Sequence, residues 1–120
     1  MKVFVIIALC LFSVSASAQR KVSSAEAYKY VGDTITVCGK VFGGRYLDYA
    51  NKQPTLINMG GKFPDQEITI YISGENRRKF GYKPEEMLSD KQVCATGRIE
   101  LYNNKPQLVV TEPFHIKIIQ

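Results

Sequence analysis

Tryptophan is absent from the chain, histidine occurs once, as His115, and cysteine three times, at Cys10, Cys38 and Cys94. These scarcities exclude most site chemistries. A structural zinc site needs about four closely spaced Cys or His ligands, and no such group exists. A hydrolytic triad needs a histidine between a nucleophile and an acid. His115 stands alone in a Phe-His-Ile-Lys-Ile segment and reads as the cover of a strand. Gly43-Gly44 and Gly60-Gly61 are not followed by the lysine and hydroxyl pair of a phosphate-cradling loop. Glu85 and Glu86 open a helical turn, where the helix dipole favours negative charge, rather than forming a catalytic pair. The expectation is no enzyme, no cofactor and no metal.

Long apolar runs are also scarce. Only Val3 to Phe12 is nearly unbroken, and it is shorter than the ~20 residues that span a bilayer. Lys2 precedes it, and Ser13 to Ala18 follows it, ending in the small-x-small pattern Ala16-Ser17-Ala18. That order reads as a secretory signal peptide over residues 1–18, with Gln19 opening one domain over residues 19–120. Cys10 follows Leu9, where a lipid-anchor site would carry a small residue, so it reads as part of the signal. The expected location is periplasmic or secreted, without membrane insertion after cleavage.

Acidic residues are the minority charge, 11 against 16 Lys and Arg, for a formal net charge of +5 that falls to +4 without Lys2. The excess mildly favours anionic partners. Residues 19–120 suffice to bury a single core.

Ser23-Ser24-Ala25-Glu26 has capping-box spacing and predicts a short helix near residues 24–30. Ile35, Val37 and Val41 alternate with polar residues and predict a first strand from Thr34, continuing towards Leu47. Asp48 to Pro54 reads as a loop, Thr55 to Met59 as a short strand, and Glu67 to Ser73 as a strand with Ile68, Ile70 and Ile72 on one face. Residues 75–80 and 84–88 predict helical turns, the second opened by Pro84. Lys91 to Tyr102 alternates again, with Val93, Ala95, Ile99 and Leu101 inward. Asn103-Asn104-Lys105 reads as a hairpin turn, Pro106 to Thr111 as its return strand, and Phe114 to Ile119 as a last extended segment. Short strands between turns predict an all-β sandwich or small barrel. The helical insertion between the third and fourth strands selects a five-stranded Greek-key OB barrel, with a short N-terminal helix.

Ile35 to Val41 echoes Val93 to Ile99, with Gly39 aligned on Gly97 in the inward register. Cys38 and Cys94 both lie at odd offsets from those glycines and face away from the core. In an OB barrel the first and fourth strands are antiparallel neighbours. A cross-strand disulfide is then geometrically open to them, the alternative being two buried free thiols.

Gly32 to Val41, Asp90 to Ile99 and Lys105 to Val110 resemble OB-fold domains of the anticodon-binding type, found in many bacterial nucleic-acid-binding proteins. The resemblance spans most of residues 19–120. It implies single-stranded nucleic acid on the outer face of the second and third strands. The outward register offers Lys40 and Phe42 on the first strand, Thr69 and Tyr71 on the third, and Arg98 and Tyr102 on the fourth. Arg45, Tyr46 and Tyr49 are expected at the first long loop, and Arg77 and Arg78 open a basic cluster with Lys79. Exposed aromatics stack on bases while cations follow phosphates. The competing expectation is a module for an unknown protein or glycan partner, with no nucleic-acid binding.

Overall fold

The computed structural model describes residues 20–119. The signal segment expected over residues 1–18 lies outside the described residues. The alternation of branched residues with polar ones produces one mixed sheet. Its strands are β1 (Lys21–Ser23), β2 (Thr34–Tyr46), β3 (Thr55–Met59), β4 (Ile68–Ile72), β5 (Gln92–Tyr102), β6 (Lys105–Val109) and β7 (Ile116–Ile118). The described sheet therefore has seven strands, where the sequence predicts five. β2 and β5 are long, and each uses one edge for the other. On its second edge β2 pairs with β1 over its first half and β3 over its second. β5 pairs in the same way with β7 and then β6. The two added three-residue strands thus satisfy backbone groups of β2 and β5 that would otherwise stay open.

Five pairings run in a circuit: β2 with β3, β3 with β4, β4 with β6, β6 with β5, and β5 with β2. All are antiparallel except β4 with β6. Inside the circuit lie Val37, Val41, Ile57, Met59, Ile68, Ile70, Ile72, Val93, Ala95, Ile99 and Leu108, all at most 1% exposed. Each fully buried aliphatic side chain of this kind contributes about 1.5–3 kcal/mol. Leu101 departs from the predicted pattern and is 55% exposed, because β5 continues past the core into its hairpin.

Gly39 and Gly97 mark two places where the wall bends closely onto its neighbours. A Cβ at Gly97 would overlap the Val109 carbonyl oxygen. One at Gly39 would meet Ser24 Oγ at 2.8 Å and the Met59 side chain at 3.0 Å. Residues Ser24–Tyr30 form a 3-10 helix rather than an α-helix, and the Ser23 side chain makes no cap hydrogen bond. Ser24 instead donates to Glu67 Oε1 at 2.6 Å, and Ala27 is fully buried in the core. The hydroxyl expected to cap the helix is thus unused, and its neighbour's makes a tertiary bond.

Cys38 stands directly opposite Cys94 on β2 and β5, and the two are joined as a disulfide with Cα atoms 4.1 Å apart. The bond closes a loop with a sequence separation of 56, worth about 4 kcal/mol in the chain-entropy account.

Between β4 and β5 lie two single-turn helices, α1 (Gly74–Arg77) and α2 (Pro84–Met87). The predicted helix over residues 75–80 shortens to one capped turn, with Ser73 Oγ accepting from the Asn76 N–H at 3.2 Å. Arg77 fastens this insertion to the sheet. Its guanidinium donates to Thr55 Oγ1 at 2.7 Å and to both Glu85 oxygens, at 2.6 and 3.0 Å. It also lies 3.8 Å from the centroid of the Tyr46 ring. The Arg77 and Glu85 side chains are each only 13% exposed, so this fork-on-fork pair is better shielded than a surface ion pair. Burial pushes the Glu85 carboxyl up. Hydrogen bonds from Arg77 and its own backbone, with the charges of Arg77 and Lys83, outweigh that and hold it below the ordinary value.

Reduction, or the paired substitution Cys38→Ala with Cys94→Ala, should lower the melting temperature by more than about 10 °C by circular dichroism. Gly97→Ala should cost about 2 kcal/mol in urea unfolding, because backbone on β6 must move. A depressed carboxylate stabilises the fold above its unfolded pKa of about 4.3 and loses that contribution as pH falls through the lower folded value. Glu85→Gln should therefore destabilise the protein at neutral pH, and its difference from the parent should vanish in melts taken at progressively lower pH.

Candidate functional site

The outer face of the circuit follows from register. Arg45 stands opposite Leu56, Leu56 opposite Tyr71, Tyr71 beside Val109, and Val109 opposite Arg98. One row along, Asn58, Thr69, Gln107 and Glu100 align in the same way. Arg45 reaches this face through a bulge. Val41 pairs with Met59 but Gly43 pairs with Asn58, so Phe42 and Gly43 share the space of one residue. Gly43 takes φ 124°, a left-handed value that a side chain would resist. Counted by simple alternation from Val41, Arg45 would point inward. The bulge turns it out. Arg45 and Tyr46 are thus the last residues of β2, at the start of the loop, in line with a first strand that continues towards Leu47.

A cleft of about 390 Å³ lies on this face, between the segment after β3 and the β5–β6 hairpin. Phe63 and Tyr102 are its exposed aromatic walls, at 66% and 63% exposure, over Leu56 and Thr69. The Arg45 guanidinium sits 5.9 Å from the Phe63 ring centroid. Lys105 lines the opposite side and its Nζ donates to the Pro64 carbonyl at 3.4 Å, tying hairpin to loop. Four side-chain amides, Asn58, Gln66, Asn103 and Gln107, complete the polar lining. Gln66 Nε2 donates to Thr69 Oγ1 at 2.9 Å, while its Oε1 is buried without a partner.

A second cleft, of about 540 Å³, begins at Tyr71 and is more polar. Lys52, Ser73, Glu75 and Arg78 line it, where the β2–β3 loop meets α1. The Lys52 carbonyl accepts from the Gly74 N–H at 2.8 Å, and Lys52 and Gln53 hold φ values of 63° and 44°.

The sequence-predicted residues therefore divide. Arg45, Thr69 and Tyr102 meet in the first cleft, Tyr71 and Arg78 in the second. Lys40 Nζ lies 5.2 Å from the Phe42 ring on β2, in neither cleft. Arg98 is an exposed residue 3.7 Å from Glu100. Arg77 and Tyr46 stack on each other in the insertion lock, which occupies the Arg77 charge. Tyr49 is 80% exposed in the loop after β2. Residues the sequence reading missed are Leu56, Asn58, Phe63, Gln66, Lys105 and Gln107. Leu56 and Asn58 were open to inference from the parity of β3. Phe63 was not, since it sits in a turn without periodicity.

No family model and no curated protein matches the chain. Among solved structures it is similar to a protein described as an aspartyl-tRNA synthetase from Leishmania major Friedlin, with a TM-score of 0.53 at 12% identity. The likeness covers 92% of this chain but only 22% of the other, so the chain spans about a fifth of that protein's length. At that identity the likeness is one of fold, a β-rich architecture of OB-like form.

Proposed function

We propose that this chain is an exported OB-type module that binds single-stranded nucleic acid on the outer face of β3 and β4 and performs no catalytic step. The five-membered circuit, with its parallel β4–β6 pairing and its helical insertion, supports the OB reading. The disulfide supports an oxidising compartment, and with it export after removal of residues 1–18. The observation that carries the ligand class is the first cleft. Two exposed rings, Phe63 and Tyr102, stand beside Arg45 and Lys105, and neither cation has a carboxylate partner among the described residues. Rings offer stacking surface to any base, and the cations meet phosphates. Tyr71 and Arg78 extend the same chemistry into the second cleft. The synthetase likeness agrees with this reading at the level of fold.

A second reading has its own observation. The amides of Asn58, Gln66 and Gln107 beside aromatic walls suit a hydroxyl-rich oligosaccharide, and the exposed rings suit a protein loop.

Fluorescence anisotropy with labelled single-stranded oligonucleotides separates the two. Nucleic-acid binding should weaken steeply as salt rises. Phe63→Ala and Tyr102→Ala should each lower affinity by about tenfold or more, in line with about 1–3 kcal/mol per stacked base. Arg45→Glu should act most strongly at low salt. No binding at low salt rejects the nucleic-acid reading, and salt-independent binding of an oligosaccharide, abolished by Phe63→Ala, replaces it.

A further inference from the structure

A third cleft shares no lining residue with the other two and plays no part in the proposed function. It lies where β1, β2, β5 and β7 run side by side. Registers fix its floor and rims. Lys21 aligns with Thr36 and Thr36 with Thr96, while Ser23 aligns with Cys38, Cys38 with Cys94 and Cys94 with Lys117. Val22, Val37, Ala95 and Ile116 alternate to the core side, so these rows face outward. The floor is uncharged: the half-exposed Cys94 end of the disulfide and the Thr36–Thr96 hydroxyl pair, whose oxygens are 2.7 Å apart. The rims are cationic, with Lys21 on β1 and Lys117 on β7, and His115 stands beside Lys117 against the Phe114 ring. No carboxylate lies within ion-pair distance of either lysine among the described residues.

We propose that this cleft binds a compact tetrahedral oxyanion, a phosphate or sulfate group, free or borne on a small molecule. Four features point there. Two lysines from opposite strands line one trough, an arrangement of like charges that a divalent anion relieves. In the threonine pair one hydroxyl donates to the other, which leaves one O–H to donate upward from a part-buried floor. Donors from two rims and a floor match an acceptor with oxygens in several directions. The volume of about 240 Å³ is below that of the clefts that hold drug-sized ligands, so the occupant is small. Lys21 and Lys117 belong to the two strands that the five-strand circuit does not need, and the cleft exists only because they were added.

Isothermal titration of the full chain with inorganic phosphate, sulfate and glycerol phosphate tests this. Saturable binding of at least one is expected, with Lys21→Glu and Lys117→Glu each weakening it by about tenfold or more. Lys83→Glu, at an exposed lysine that lines none of the three clefts, should leave it unchanged. Both cleft lysines are exposed, so the variants should keep the parent's melting temperature. In amide NMR spectra of the parent, Thr36, Thr96 and Lys117 should shift with phosphate. Tighter binding of glycerol phosphate than of inorganic phosphate assigns the group to an organic ligand, and equal binding assigns it to the free ion. Failure of all three ligands to saturate overturns the proposal, as does equal loss in Lys83→Glu and the two cleft-lysine variants. Oligonucleotide binding at the first cleft is independent of either result.

Discussion

The β2–β5 ladder is the constraint on which the structure depends. It joins the chain's two longest strands over seven successive residue pairs, from Thr34–Arg98 to Lys40–Gln92, and carries the disulfide at its middle. The pairing is long-range in sequence, so its closure sets a large entropic cost against folding, and the covalent bond removes part of that cost from the unfolded chain. Once it is closed, β1, β3, β6 and β7 add to its outer edges and β4 joins β3 to β6. β3, β4 and β6 bridge the far halves of the two strands and complete the circuit, while β1 and β7 attach to the near halves. The core and the third cleft are therefore two sides of one ladder: inward Val37 and Ala95, outward Cys38, Cys94, Thr36 and Thr96.

The bulge at Phe42–Gly43 decides the chemistry of the other face. Without it, β2 would carry Arg45 towards the core, where an unpaired guanidinium is untenable. With it, Gly44 faces the wall at Ile57, where a Cβ would lie 3.1 Å from the Ile57 Cα, and Arg45 emerges opposite Leu56. One inserted residue therefore converts an apolar sheet surface of Leu56, Tyr71 and Val109 into one bordered by a cation. The insertion lock acts from the other end. Arg77 holds α1 against Thr55 and Tyr46, which places Arg78 at the mouth of the second cleft.

Much of the circuit is readable from period two alone. Ile35, Val37, Val41, Ile68, Ile70, Ile72, Val93, Ala95 and Ile99 are all inward, and the odd offsets of Cys38 and Cys94 from Gly39 and Gly97 place both thiols on one outer face. Short-range pattern fails where a tertiary partner takes over. β1 is three residues, too short for alternation to register, and β7 keeps only three of the six residues read as a last extended segment; both pair along open edges of β2 and β5. Ser23 and Glu26 have capping spacing, yet the hydroxyl bond that forms is a tertiary one, from Ser24 to Glu67. The site was half legible. Thr69, Tyr71 and Tyr102 follow from strand parity. Arg45 lies beyond a bulge that inverts parity, and Phe63 and Lys105 come together only because the β3–β4 turn folds against the β5–β6 hairpin.

Net charge says little about where an anion would bind, but the pattern of pairing says more. Among the described residues, the carboxylates in ion pairs are Glu26, Glu85, Glu86, Glu100 and Glu112, and they neutralise Lys29, Arg77, Lys83, Arg98 and Lys79. Three of those cations belong to the insertion between β4 and β5. The cations left without such a partner include Arg45 and Lys105 in the first cleft, Lys52 and Arg78 in the second, and Lys21 and Lys117 in the third. The first and third clefts thus each carry two positive charges with no carboxylate in their lining, where low-dielectric walls focus their field, while Glu75 offsets part of the charge in the second. The modest positive excess of the sequence is therefore concentrated in the three clefts, while the most basic-looking stretch, Arg77-Arg78-Lys79, has two of its three charges consumed in holding the fold.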